Sequence, residues 1–364
     1  MSASDSCCDC ATGWDNPSCS LTSSASFIRQ TIDILLPSAK VCASEICSQC
    51  LLKTWESPVR NRVTPVWNLC LRVLCTVLAV WITVVVILAF IQRKLMYQPT
   101  TAESLLVANY PYVMQLFPDG ADVRMSSTGS QTIRGWFLCQ EMATAGSRPL
   151  VLLFHGNAGN RAGRTAWYEI LAECGCDVLA IDYQGYGDST GSPSQTAIQD
   201  DAQAAWDYAV RQLGYTPNNI FVMGISLGGA AAVHLASVQS RTNAAPAGVM
   251  TVATFSSMVD VAAWRYPWIP VRAVLLDRYP SANKIADVTS PMIQLHGDSD
   301  RVVDQSFGRQ LFESAPAMSA TGVKKRWVSL ANVGHNDLVT AAGTEVIEEL
   351  IAFQRSVAAA SEER

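Results

Sequence analysis

The chain has 364 residues, 49% hydrophobic and 16% charged, with a formal net charge of −5. That length allows two ordinary domains or one large α/β domain with an appendage, and the apolar content excludes wholesale disorder. The charge is uneven: residues 1–94 carry a net +2 and residues 95–364 a net −7, so the larger part has no basic footprint for nucleic acid.

Residues 1–26 are rich in Ser, Cys and Asp, a composition that predicts disorder. Ile28, Ile32, Leu35 and Leu36 then fall at helical spacing, which predicts a short amphipathic helix over residues 27–36, ended by Pro37. Nine of the twelve cysteines precede residue 76. Cys47-x-x-Cys50 is a lone pair with no nearby His and no second pair at regular spacing, a poor zinc site. Ser2 rather than Gly follows the initiator Met, which excludes N-myristoylation. Cys7, Cys8, Cys10, Cys70 and Cys75 fit reversible S-acylation beside a membrane better than disulfides, which need an oxidising side; plain free thiols are the alternative.

Val73 to Gln92 contains no charge, and its first nineteen residues would span about 28 Å as a helix, the thickness of a hydrocarbon core. Arg72 closes one end and Arg93-Lys94 the other. The pattern predicts a transmembrane anchor over residues 69–94, between a cysteine-rich segment 1–68 and a domain 95–364. Lys53, Arg60, Arg62 and Arg72 outnumber Arg93 and Lys94, so the positive-inside rule puts the N-terminus in the cytosol. None of the twelve asparagines lies in an N-x-Ser/Thr sequon, which weighs the other way for the main domain. A single-pass membrane protein is expected, with an endomembrane compatible but no organelle specified.

From Ile133 the pattern alternates. Apolar runs at 150–154, 178–181, 220–223, 249–252, 292–295 and 327–330 read as strands, and residues 166–172 and 197–213 as helices between them. Short strands buried on both faces, separated by helices, predict a mostly parallel, doubly wound α/β sheet.

Gly224-Ile225-Ser226-Leu227-Gly228 follows the strand IFVM and precedes the helical run GGAAAVHLA, the context a nucleophile elbow requires. A side chain at 224 or 228 would strike neighbouring backbone in so tight a turn, and Ser226 at its tip keeps its hydroxyl exposed at a helix N-terminus. Of the four histidines, His234 falls mid-helix, and His155 and His296 end apolar strands and read as structural. His335 lies in a loop after the last strand and is the expected general base. The acid that orients it is expected in HGDSD, leaving Asp298 and Asp300 open, with Asp304 an outsider. The oxyanion needs two backbone N–H groups: Leu227, after the nucleophile, and, by its position in the loop HGNAGN, Asn157.

FHGNAGN (154–160), DYQGYGDSTGSPS (182–194), GISLGGAAAVHLAS (224–237), LHGDSDRVVD (295–304) and GHND (334–337) resemble the α/β-hydrolase superfamily. More closely they resemble the membrane-anchored α/β-hydrolase domain-containing protein 13 group, the bud-emergence-type hydrolases. The resemblance implies an α/β-hydrolase fold from about Gln98 onward and selects Asp300 as the acid, from the final Asp of the HGxxD pattern. Asp304 stands where the family has Pro. A sister group, the protein 17 depalmitoylases, shares several stretches and N-terminal cysteine clusters but usually lacks a pair like Gly228-Gly229. The implied function is a membrane-anchored serine hydrolase of esters or thioesters, with no metal or cofactor. Its partners are an acyl substrate and the lipid bilayer. A depalmitoylase, a serine peptidase of the same fold and a non-enzymatic membrane scaffold are the alternatives. Residues 254–290, with Trp264, Tyr266, Pro267, Trp268 and Pro270, are expected to form a small helical cap over the site.

Overall fold

The computed structural model describes residues 65–142 and 146–362. The expected helix at 27–36 and the cysteines from Cys7 to Cys50 lie outside the described residues. The chain divides into two units, Met1–Leu71 and Arg72–Arg364. The second unit holds everything below except the first turns of its opening helix.

That helix, α1, runs from Pro65 to Met96, 32 residues or about 48 Å. It opens on proline, whose missing N–H costs nothing in a first turn, and closes on Arg93 and Lys94, which complement the negative end of the helix dipole. Within Trp67–Met96 an 18-residue window reaches a mean hydropathy of 2.9, and the helix is long and apolar enough to cross a membrane. Cys70 and Cys75 are exposed free thiols on it.

The strands of the main sheet are β1 (Ala121–Ser126), β2 (Thr132–Leu138), β3 (Leu150–Phe154), β4 (Asp177–Asp182), β5 (Ile220–Ile225), β6 (Gly248–Val252), β7 (Met292–Gly297) and β8 (Arg326–Leu330). Their order is β8-β7-β6-β5-β3-β4-β2-β1. β1 and β2 are antiparallel, and the strands from β3 to β8 run parallel. The continuous apolar runs follow from this topology. In β3, Leu150, Leu152 and Phe154 enter one core while Val151 and Leu153 enter the other. On one face lie α2 (Thr165–Glu173) and, at the end of the chain, Val346, Leu350, Phe353 and Val357. On the other lie α3 (Gln195–Arg211) and α4 (Leu227–Arg241).

Between β6 and β7 the chain leaves the sheet in a helical excursion over residues 254–290. It contains α5 (Met258–Arg265), capped by the Ser257 side chain on the N–H of Val259, and shorter helical turns at Val271–Val274 and Ser281–Ile285. α6 (Gln305–Ser314) and α7 (Leu338–Glu362) complete the fold. β1, α6 and α7 are additions to the elements read from the sequence. In ADVRMS only Val123 and Met125 are buried, too short an alternation to read as a strand.

Candidate active site

The segment after β5 turns directly into α4 through Ser226, whose backbone is held at φ 53°, ψ −116°. A non-glycine residue there is strained and persists only where its surroundings fix it. Here the Ser226 N–H donates to Val252 O at 2.8 Å, and its carbonyl accepts from Gly229 N at 3.0 Å and Thr254 Oγ1 at 3.3 Å. The flanking glycines are dictated by contact, as expected. A Cβ on Gly224 would lie 2.2 Å from Gly228 O, and one on Gly228 would lie 2.0 Å from Phe154 O.

Ser226, His335 and Asp300, 109 and 35 residues apart in sequence, meet at the C-terminal ends of β5, β7 and β8. His335 Nδ1 lies 2.6 Å from Asp300 Oδ2, and His335 Nε2 lies 3.1 Å from Ser226 Oγ. Burial would push the Asp300 carboxyl up, but hydrogen bonds from His296 and His335, the charge of His335 and the N–H of Val303 outweigh it. The carboxyl is held well below the usual carboxylate range. Its Oδ1 accepts from the Val302 and Val303 N–H groups at 2.8 and 2.9 Å. An ionised carboxylate only accepts, so the His335 proton sits on Nδ1 and the Nε2 lone pair faces the Ser226 hydroxyl.

The two other carboxylates left open in the sequence have different jobs. Asp298 ties the loop after β7 to the loop after β8 by accepting from Asn332 N, and it also accepts from Ser299 Oγ. Asp304 caps α6 through Ser306 N. His234 lies half-buried on α4 with Nδ1 2.6 Å from Lys284 Nζ, and its pKa is lowered to about 4 by burial, with Lys284 and Arg241 adding to the effect. His296 is more than structural. Its Nε2 lies 3.3 Å from Asp300 Oδ2 and 2.9 Å from Val303 O, so it helps fix the carboxylate. Its place at the end of β7, four residues before Asp300, was the available signal.

Asn157 and Leu227 both border the cavity that Ser226 faces. Neither amide N–H donates to a protein acceptor among the described residues, so both remain available to a ligand. The loop that carries Asn157 is pinned from several sides. Tyr183 Oη donates to His155 O and Tyr186 Oη to Asn157 O, each at 2.8 Å. The Asn157 side-chain Nδ2 donates to Met96 O at 3.0 Å, and the Asn157 backbone carbonyl accepts from Gln98 N at 2.9 Å. The DYQGYG stretch thus serves to hold this loop, a role the sequence did not disclose.

The cavity has a volume of about 480 Å³ and a largely apolar lining, including Phe255, Met258, Val261, Ile269 and Val303. Such a space suits a hydrocarbon group beside a polar reacting centre. Among the described residues, no group of three His, Cys, Asp or Glu could hold a metal ion.

Residues 149–286 match the family model described as alpha/beta hydrolase fold. An uncharacterized protein of Mycobacterium tuberculosis is 36% identical over 246 residues, 68% of this chain and 81% of that protein. Alpha/beta hydrolase domain-containing protein 17C of Homo sapiens is 33% identical over 222 residues, covering 60% of this chain and 62% of that one. Among solved structures, the Pyrococcus furiosus esterase Pf2001 aligns with a TM-score of 0.54 at 16% identity, over 71% of this chain and 97% of that one. The hydrolase GrgF of a Penicillium species aligns with a TM-score of 0.52 at 16% identity, over 66% and 99%. At that identity the likeness concerns the fold.

Proposed function

The chain belongs to the α/β-hydrolase fold family, and from that premise we propose that it is a membrane-anchored serine hydrolase cleaving ester or thioester bonds through an acyl-enzyme. The observation that carries the reading is the continuous line from Asp300 through His335 to the Ser226 hydroxyl, 2.6 and 3.1 Å long, opening on an apolar cavity.

Ser226 Oγ attacks the acyl carbonyl while His335 Nε2 takes its proton. Asp300 fixes the imidazole tautomer and stabilises the imidazolium that forms. The N–H groups of Asn157 and Leu227 face the developing oxyanion, and the N-terminus of α4 adds its dipole. His335 then returns the proton to the leaving oxygen or sulfur. Water, deprotonated by the same imidazole, attacks the acyl-enzyme, and His335 returns that proton to Ser226 Oγ as the acid leaves. The apolar lining supports an acyl substrate. Domain 95–364 carries the chemistry, and α1 anchors it in a single pass with a cytosolic N-terminus. Acylation of Cys70 and Cys75 would reinforce that anchor.

A panel of p-nitrophenyl esters, glycerolipids, acyl-thioesters and peptides, run with the wild type and Ser226→Ala, tests the reading. Hydrolysis of esters or thioesters by the wild type alone is expected; equal turnover by both proteins would refute it. Protease protection in intact microsomes reads the topology, with residues 100–364 expected to be protected.

A further inference from the structure

One face of α1 is covered and the rest is bare. Val85, Leu88, Ala89, Gln92 and Met96, which share one side of the helix, are buried or half-buried, while Phe90 on another face is 86% exposed. The cap does the covering. Trp81 Nε1 donates to Trp268 O at 3.0 Å. Gln92 donates to Val274 O at 3.2 Å and accepts from Leu276 N at 2.8 Å. Arg93 grips both Asp277 oxygens at 2.9 and 3.2 Å, and Tyr97 Oη donates to the same carboxylate at 3.0 Å. The cap is thus laced to α1 from Trp81 to Tyr97, about 24 Å along the axis.

The Ser226 cavity lies between these two elements. Leu88, Ala89, Leu95 and Met96 of α1 form one wall, and Tyr266 and Val274 of the cap belong to the other. Trp81 sits twelve residues before Arg93, about 18 Å inside the uncharged stretch of α1. Whatever depth that stretch occupies, the cap segment bonded to it occupies as well. The cap's exposed side chains suit such a place, because Trp264, Tyr266, Trp268 and Leu276 are 48%, 47%, 54% and 63% exposed, with Tyr266 and Trp268 at the cavity itself. Soluble surfaces seldom carry such a cluster, and Trp and Tyr favour the lipid–water boundary.

We propose that the Ser226 cavity is an acyl-chain subsite shared by α1 and the cap and loaded sideways from the bilayer. Its substrate is an ester or thioester whose hydrocarbon chain already lies in the leaflet that receives the cap. The inference rests on the serine-hydrolase and membrane readings above. α1 is then part of the substrate site as well as an anchor. The chain slides between α1 and the cap until its carbonyl reaches Ser226, so the leaving group stays on the aqueous side.

The test uses the full chain in phosphatidylcholine vesicles. Ala89→Trp places bulk in the shared wall and is expected to lower the ratio of p-nitrophenyl palmitate to butyrate hydrolysis about tenfold or more. Phe90→Trp, on the exposed face, is expected to keep the wild-type ratio. In a second arm, phosphatidylcholine doxyl-labelled on its acyl chain is expected to quench tryptophan fluorescence. The quenchable fraction should fall in Trp264→Phe/Trp268→Phe. An unchanged ratio in Ala89→Trp, or an unchanged quenchable fraction in the double variant, would overturn the proposal. A wild type that no fluorophosphonate labels would instead defeat the hydrolase reading, and the quenching arm would still decide where the cap lies.

Discussion

Two histidine–aspartate clusters stand at the same end of the sheet and carry different loads. In one, Asp182 at the end of β4 meets His155 Nε2 at 3.3 Å and the buried Arg161 guanidinium at 2.5 Å, with Asp188 on the same nitrogen at 2.7 Å. His155 is sealed between Tyr183 and Tyr186, with ring centroids 4.4 and 5.1 Å away. In the other, Asp300 meets His335, whose side chain is 11% exposed and whose free nitrogen faces a hydroxyl at a cavity. A buried carboxylate neutralised by an arginine holds a fold together. One neutralised only by imidazoles and backbone N–H groups keeps a proton-transfer partner available. The difference lies in the partners, an arginine at Asp182 but only histidines in ion-pair reach of Asp300 among the described residues, and in the opening toward a cavity.

That contrast can be broken by substitution. Ser226→Ala should lower turnover on the order of 10⁶-fold with little effect on stability. Asp300→Asn should lower kcat about 10⁴-fold, because the imidazole loses the acceptor that fixes its tautomer. Asp182→Asn should do the reverse. It leaves the buried Arg161 guanidinium with Asp188 as its one remaining carboxylate and costs about 3 kcal/mol in urea unfolding, the low end for a broken buried pair, while turnover per folded molecule changes far less than in Asp300→Asn. If Asp182→Asn and Asp300→Asn gave the same pattern, the two clusters would not be separable as drawn.

The pH dependence sharpens the comparison further. The Asp300 carboxyl is held low in the fold, so its stabilising contribution is complete above the ordinary carboxylate range and is lost only as pH falls below it. His234 is also held low, at about 4 against an ordinary 6.5. Its contribution is therefore full above pH 6.5 and lost as pH falls toward 4. Over that window His234→Gln, which still accepts from Lys284, should flatten the acid loss of stability by about 1 kcal/mol, its partial exposure considered. Urea midpoints at pH 7 and pH 4.5 read the effect.

Much of this was legible in the residues. The strand runs announced the parallel sheet because both faces of β3 to β7 are covered, and GISLG announced the elbow because each glycine is forced by a backbone contact. Asp300 could be separated from Asp298 only through the resemblance. Both sit in one short loop, and which of them faces His335 depends on how that loop is tied to the one after β8, a tie that Asp298 makes through Asn332. The jobs of Arg161, Tyr183 and Tyr186 were not legible, since they arise from contacts 21 to 29 residues away across the sheet ends. The motifs pointed toward the protein 13 group, and protein 17C, from the sister group, is 33% identical to this chain. The covered face of α1 was hidden by composition, because a stripe of Val, Leu and Ala looks the same against lipid as against a cap.

The most direct measurement of the central claim is intact-mass and peptide mapping of the full chain after reaction with a small fluorophosphonate. A single adduct on the peptide bearing Ser226 is expected in the wild type, with none in Ser226→Ala and a strongly slowed reaction in His335→Gln. An adduct on another residue, or equal labelling of wild type and Ser226→Ala, would contradict the assignment of Ser226 as the nucleophile.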